Sequence, residues 1–282
     1  MDTIARTNEA DELFKQGRYL DAVRFYDRAL ELDPADANLW NSRGLALCRL
    51  GMYREALESF DRALEIDPEY TDARNNKGVV IYKQEKHEEA IVYFDDIIEA
   101  HPKYGKAWYN KAVVLDKMGK HLLAIEHYDK TLELNPGIAK VWSNRGASLG
   151  NLGRYEEAID CFDKALMLNP ESAETWNNKG AALGKLRRYD EAAAHLSRAT
   201  EINPRYSEAW YNKGEALRRQ DKYAEAIENF DKAIEIEPRH EKAWNGKGLA
   251  LRALGQDEEA DLAFAIAASQ KKFDARTGDS PA

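Results

Sequence analysis

Five asparagines, Asn76, Asn110, Asn144, Asn178 and Asn212, recur at intervals of 34 residues. An asparagine amide offers one acceptor and two donors, so a row of them can pair with successive peptide units of any sequence. Other candidate chemistry is thinner. His87 and His121 are also one interval apart, about a helix-pair width of roughly 10 Å each way, too far to share a metal. His127 and His195 match two intervals apart, and His101 and His240 fall in turns. There is no HExxH, no CxxC and no phosphate-cradling glycine loop. The many carboxylates form rows on one helix, as solvated faces do. No metal or cofactor is implied, and an enzyme is not expected.

The elements that position these residues follow the same period. Pro34, Pro68, Pro102, Pro136, Pro170, Pro204 and Pro238 are spaced by 34, as are Trp108, Trp142, Trp176, Trp210 and Trp244, with Trp40 in the same register. A period of 34 with two helical halves implies a stacked array. In Ala139 to Ser172, Trp142, Gly146, Leu149 and Leu152 fall at helical spacing and mark helix A. Gly153 permits a left-handed turn. Tyr155, Ala158, Ile159, Phe162, Ala165, Leu166 and Leu168 form the apolar stripe of helix B. Asn169-Pro170 stops it, because a residue before proline avoids helical angles. Small residues at Gly146, Ala158 and Ala165 let the two helices approach, and neither helix buries its stripe alone.

The pattern W-x3-G-x2-L…Y-x2-A-x3-F-x2-A…P resembles the tetratricopeptide repeat (TPR) family over nearly the whole chain. By register the units are 3–36, 37–70, 71–104, 105–138, 139–172, 173–206, 207–240 and 241–274, read as one domain, with 275–282 as a disordered tail. The resemblance implies an all-α fold: an α-solenoid wound as a right-handed superhelix of about eight antiparallel helix pairs, helix A lining the concave side. The first unit is degenerate, with Arg6 for tryptophan. The third departs further, with Arg74, Glu85, His87 and Ile97 at signature places. That departure reads either as drift with local repacking or as a softer joint or specialised pocket. In the last unit Lys272 replaces proline, so its final helix can run on.

Charged residues are 32% of the chain and the formal net charge is −9. That acidity argues against general nucleic-acid binding, which needs a basic surface. Cys48 and Cys161 lie in different repeats and are expected as free thiols in a reducing compartment. The first residues lack an apolar signal core and no run is long enough to span a membrane, so a soluble, cytoplasmic protein is expected.

Numbering places within each unit, the resemblance implies that places 2, 5, 6, 9, 12 and 13 face the groove. The five asparagines hold place 6, a row similar to the asparagine ladder of O-GlcNAc transferase superhelices. Equally, asparagine suits an exposed, small, polar place. The six places carry eleven basic and six acidic residues, a local excess of five positive charges inside an acidic chain. This predicts an acidic, extended protein segment as ligand, its backbone held by the asparagines and its acids met by Lys117, Lys140 and Lys185. The carboxylate clamp of chaperone-binding TPRs needs lysine at place 5, where this chain has none. Place 7 is basic in seven units (Arg43, Lys77, Lys111, Arg145, Lys179, Lys213, Lys247), and place 25 is aspartate in six. These form a ladder between helices or stand as independent solvated charges. The expected function is therefore a non-enzymatic protein-interaction scaffold. The alternatives are a self-assembling solenoid and a regulatory subunit of a separately encoded enzyme. On the last helix, Leu262, Ala265, Ile266 or Ser269 would form an apolar patch for weak self-association.

Overall fold

The structure, a computed structural model, describes residues 3–277. Sixteen helices and no strand occur among the described residues, in two compact units that divide between Pro136 and Gly137. The first holds α1 (Thr3–Lys15), α2 (Tyr19–Leu30), α3 (Ala37–Arg49), α4 (Tyr53–Ile66), α5 (Thr71–Lys83), α6 (His87–Ala100), α7 (Gly105–Lys117) and α8 (His121–Leu134). The second holds α9 (Ala139–Asn151), α10 (Tyr155–Leu168), α11 (Ala173–Lys185), α12 (Tyr189–Ile202), α13 (Ser207–Arg218), α14 (Tyr223–Ile236), α15 (Glu241–Ala253) and α16 (Asp257–Thr277). From α3 onward every A helix starts at place 1, and every B helix starts at place 17.

Punctuation sets this register. Gly17, Gly51, Gly119, Gly153 and Gly255 take φ near +75° between the two helices of a unit, a backbone region open to glycine without penalty. Glu85, Arg187 and Asp221 adopt the same turn at φ 60–62°, which costs an L-residue about 1–2 kcal/mol. Helix B stops just before the residue that precedes proline: Asp67, Asn135, Asn169 and Asn203 have left the helical region, with φ between −129° and −149°. No proline follows α16 at the matching place, and it continues to Thr277. It thus absorbs residues 275–277 of the segment expected to be disordered; 278–282 lie outside the described residues.

Tryptophans then clip helix A to the turn before it. The indole Nε1–H of Trp40, Trp108, Trp176, Trp210 and Trp244 donates to the carbonyl of the proline six residues back, at 2.8–3.0 Å. Arg74, the apparent misfit of the third repeat, sends its guanidinium to the Pro68 carbonyl at 2.5 Å. The planar donor is kept and the indole is not, so this one contact is repacked locally.

Within a repeat, a ring from helix B seats on a glycine of helix A. A Cβ on Gly44, Gly78, Gly146, Gly214 or Gly248 would stand 2.6–2.8 Å from the ring of Phe60, Phe94, Phe162, Phe230 or Phe264. Repeats 1 and 4 put Ala10 and Ala112 at the glycine place and the buried Tyr26 and Tyr128 at the ring place. Between repeats, the place-7 cations reach back to the place-25 acids. Arg43–Asp27, Lys77–Asp61, Lys179–Asp163 and Lys247–Asp231 are 2.5–2.6 Å apart, and Lys111 bonds Asp95 likewise. Stems are largely covered while the aspartates stay about half exposed, so each pair contributes about 0.2–1 kcal/mol. For Lys213 the corresponding place 25 holds Ser197 instead of an acid, and its ammonium lies over the Trp210 ring, 5.5 Å from the centroid.

Successive A helices also touch directly, α3 with α5, α5 with α7, α9 with α11, α11 with α13 and α13 with α15, while successive B helices do not pack on one another. Within each unit the A helices therefore form the tighter, inner face.

Candidate functional site

The A helices carry seven of the eight predicted site residues in their interior or last turn and Lys140 in the first turn of α9; Asn76, Asn110 and Lys117 belong to the first unit and the others to the second. Asn76, Asn110, Asn144, Asn178 and Asn212 are half-buried at matching places of α5, α7, α9, α11 and α13, and Lys117, Lys140 and Lys185 are exposed. Three of the asparagines have a structural duty that the sequence did not disclose. Asn76 Nδ2 donates to Asn41 Oδ1, Asn110 Nδ2 to Asn75 Oδ1 and Asn212 Nδ2 to Asn177 Oδ1, at 2.8–2.9 Å. The acceptors hold place 5, expected in the groove, but are only 4–7% exposed. Place 5 is a seam between repeats: Ser143 serves it too, its Oγ 3.0 Å from Thr175 Oγ1. Each bond fixes one amide hydrogen of a ladder asparagine. The other hydrogen and the carbonyl oxygen retain their bonding capacity.

The electrostatics of this face are sorted by pairing. Asp11 accepts from the Tyr26 hydroxyl at 2.6 Å. Asp72 accepts from the Tyr104 hydroxyl and Lys106 Nζ at 2.5 and 2.7 Å. Burial alone would raise its pKa, but these two donors outweigh it and hold the carboxyl below its ordinary range. Asp116 lies 2.8 Å from His121 Nδ1. Glu208 sits 3.4 Å from His240 Nε2, which lowers its pKa. Glu215 is gripped by Arg218 and Arg219 at 2.6–2.9 Å; their pull overcomes burial and keeps it ionised. Of the six groove acids only Glu174 lacks such a partner among the described residues. Six cations, Arg49, Lys83, Lys117, Lys140, Lys185 and Lys242, have no ion-pair partner there.

The histidines are used in packing. His127 and His195 lie against Trp108 and Trp176 at 5.4 and 5.2 Å between centroids, and burial lowers the pKa of both. His87 meets Tyr82 edge-on at 5.5 Å. No group of three or more His, Cys, Asp or Glu among the described residues is placed to hold a metal. No described helix is long and apolar enough to cross a membrane.

Two further features escaped sequence reasoning. Cavities of about 350 and 390 Å³ open side by side on the A face of repeats 5 to 7. Gly184 lines the first and Gly150 the second, both at place 12. A Cβ on either would meet nothing within 4 Å, and neither has positive φ. Glycine in a helix costs roughly 0.5–1 kcal/mol relative to alanine, less near an end, and here no close contact explains it. The available signal was a helical glycine with no large residue opposite it.

Tetratricopeptide repeat models match residues 105–138 and 139–172, two of the expected units to the residue. Others match 7–70, 44–105, 178–241 and 211–275, and 161–194. The chain belongs to the tetratricopeptide repeat family. Among solved structures it is similar to MamA, at 27% identity over 57% of this chain and 95% of that one, with a TM-score of 0.53. It is also similar to YrrB, described as a TPR protein with an unusual peptide-binding site, at 25% identity, 68% and 98% coverage and a TM-score of 0.58. A tetratricopeptide repeat protein of Parabacteroides merdae shares the fold at 17% identity, with 88% and 98% coverage and a TM-score of 0.63. A search of curated proteins finds no match. The TPR fold supports a protein-interaction scaffold.

Proposed function

We propose that residues 3–274 act as one non-catalytic, cytoplasmic array that binds an extended, acidic protein segment on its A-helix face. Asn76, Asn110, Asn144, Asn178 and Asn212 hold the ligand backbone, and Lys117, Lys140 and Lys185 meet its acidic side chains. The observation that carries this reading is the sorting of charge: five of six groove acids have partners within the protein, while six cations are left to solvent. Unpaired positive charge in an otherwise acidic chain steers an acidic segment inward and repels it elsewhere. Nucleic acid and membrane are not proposed as partners, since the net charge of −9 opposes both.

The test is fluorescence titration of a labelled dodecapeptide of glutamates against the wild type and a Lys117→Glu, Lys140→Glu, Lys185→Glu variant. The wild type should bind, and should bind more weakly as salt rises from about 0.05 to 0.5 M, because exposed charges are screened. The variant should lose binding. Equal affinity for a lysine dodecapeptide, or an unaffected variant, would remove the acidic ligand from the reading.

A second reading, self-association through α16, is carried by its exposed apolar surface. Leu262 is 63% exposed and, with Ile266, Leu251 and Trp244, lines a cavity of about 430 Å³. Light scattering at high concentration should show dimers that Ile266→Glu abolishes. A strict monomer at every concentration would leave the patch no such role.

A further inference from the structure

The paired cavities of repeats 5 to 7 deepen the groove reading, and the argument rests on that reading. Place 12 carries Phe14, Cys48, Tyr82, Asp116, Arg218 and Arg252 in the other repeats, and glycine only in repeats 5 and 6. Place 9 likewise shrinks to Ala147 and Ala181. In repeat 6 the ring place holds Leu196 where most repeats have phenylalanine, and Leu196 lines the first cavity. Tyr189 and Tyr211 line that cavity as well, and Tyr155 and Phe162 line the second. Both cavities are open clefts whose lining also includes Arg187, Glu215 and Arg219 in the first and Asn151 in the second; their aromatic and small apolar part suits a large apolar ligand group. Gly146 and Gly180 are glycines because a side chain of helix B presses on them; Gly150 and Gly184 have only open space in front of them. The space is thus set by the choice of residue and not by packing.

Charge supplies the second half of the argument. Lys185 lines both cavities, is exposed, and has no ion-pair partner among the described residues. Asn178 lines one cavity and Asn212 the other, so two of the ladder amides flank it. The nearby Arg219 is already bonded to Glu215 at 2.9 Å. Spacing follows from the helices: α9 packs on α11 and α11 on α13. Packed helices lie about 8–10 Å apart, and a chain in the extended polyproline II conformation advances about 3.1 Å per residue with about three residues per turn, so adjacent pockets are about three residues apart on one face of a ligand.

We infer that repeats 5 to 7 hold two side-chain pockets for one extended acidic peptide, each taking a large apolar or aromatic side chain. The two side chains stand three residues apart, and an acidic residue between them meets Lys185. The asparagines and lysines of the groove then select an acidic extended chain, and Gly150 and Gly184 select where along it the array binds.

Three labelled octapeptides test this by fluorescence polarisation. The first has two phenylalanines three residues apart in a frame of glutamate and aspartate. The second replaces both phenylalanines by alanine. The third keeps them in an uncharged frame of serine and glutamine. The first should bind the wild type at least about tenfold more tightly than either of the others, since two large side chains leave water. Gly150→Leu and Gly184→Leu should each lose at least about tenfold toward the first peptide and leave the second unchanged. Leucine is a better helix former than glycine and meets open space here, so both variants should keep their helicity and unfold no earlier. Gly184→Ala, filling less, should lose less. Equal binding of the first two peptides, or leucine variants that bind like the wild type, would overturn the pockets. Salt-sensitive binding of the alanine peptide alongside that result would leave the acidic groove standing without them. The uncharged peptide binding as tightly as the first would overturn the Lys185 contact and the acidic reading together. No binding of any of the three would overturn both.

Discussion

Phe162→Ala is expected to destabilise the protein by about 3–5 kcal/mol, the range for deleting a large ring from a close-packed core. The ring is 2% exposed and lies where the Cβ of residue 146 would stand, 2.7 Å from its Cε1. Gly146→Ala forces the opposite error on the same contact. It should cost about 1–3 kcal/mol by overpacking, because the ring is held on its far side by the rest of the core. Repeats interact mainly with their neighbours, so the loss stays local. Urea unfolding of Phe162→Ala should then separate into two transitions, the earlier one belonging to the flanks of repeat 5. A single transition at the wild-type midpoint would sink the prediction, since neither the cavity nor the nearest-neighbour coupling would then be felt.

What the sequence disclosed and what it hid can be traced to particular residues. Helix starts at places 1 and 17 were legible because proline and glycine act on the backbone directly, whatever surrounds them. The inter-repeat charge ladder was legible only as one of two readings: Lys77 and Asp61 are 16 residues apart and that spacing repeats, but solvated charges repeat equally well, and the 2.5 Å contact is what decides for the pair. Arg74 was not legible, because the equivalence of a guanidinium and an indole N–H appears only once the Pro68 carbonyl is located. Place 5, put in the groove by the family resemblance, is covered at Asn41, Asn75, Ser143 and Asn177, although Tyr211 at the same place lines a groove cavity; a position on helix A says which way a side chain leaves the backbone. It does not say that the next A helix arrives to cover it, as α5 covers Asn41 through Asn76. Place 34 was overlooked for the same reason: Tyr104 and His240 reach the place-2 acids Asp72 and Glu208 of their own repeats from residues that read as turn. Gly150 and Gly184 were hidden among glycines with ordinary explanations, and only the open space in front of them sets them apart.

Replacing Asn110, Asn144 and Asn178 together by alanine is expected to weaken binding of the glutamate peptide by about 1.5–4.5 kcal/mol, if three hydrogen bonds of about 0.5–1.5 kcal/mol each add. That is roughly tenfold to two-thousandfold in Kd. The seam complicates the measurement in a way that can be separated. Asn110 also donates to the buried Asn75, so its loss leaves the Asn75 oxygen without that donor and lowers stability as well as affinity. Asn75→Ala breaks the same seam from the other side while leaving the Asn110 amide on the groove. It should therefore lower the urea midpoint as the Asn110 change does, and weaken the peptide much less than the triple variant. Circular dichroism at the titration temperature must show all the proteins folded. If the triple variant then binds as tightly as the wild type, the asparagine row serves only to join repeats. If Asn75→Ala weakens binding as much as the triple variant, the row acts by orienting its neighbours rather than by touching the ligand. The expected order, with the triple variant weakest and Asn75→Ala close to wild type, requires an Asn110 amide that is held in place by one hydrogen and binds with the other.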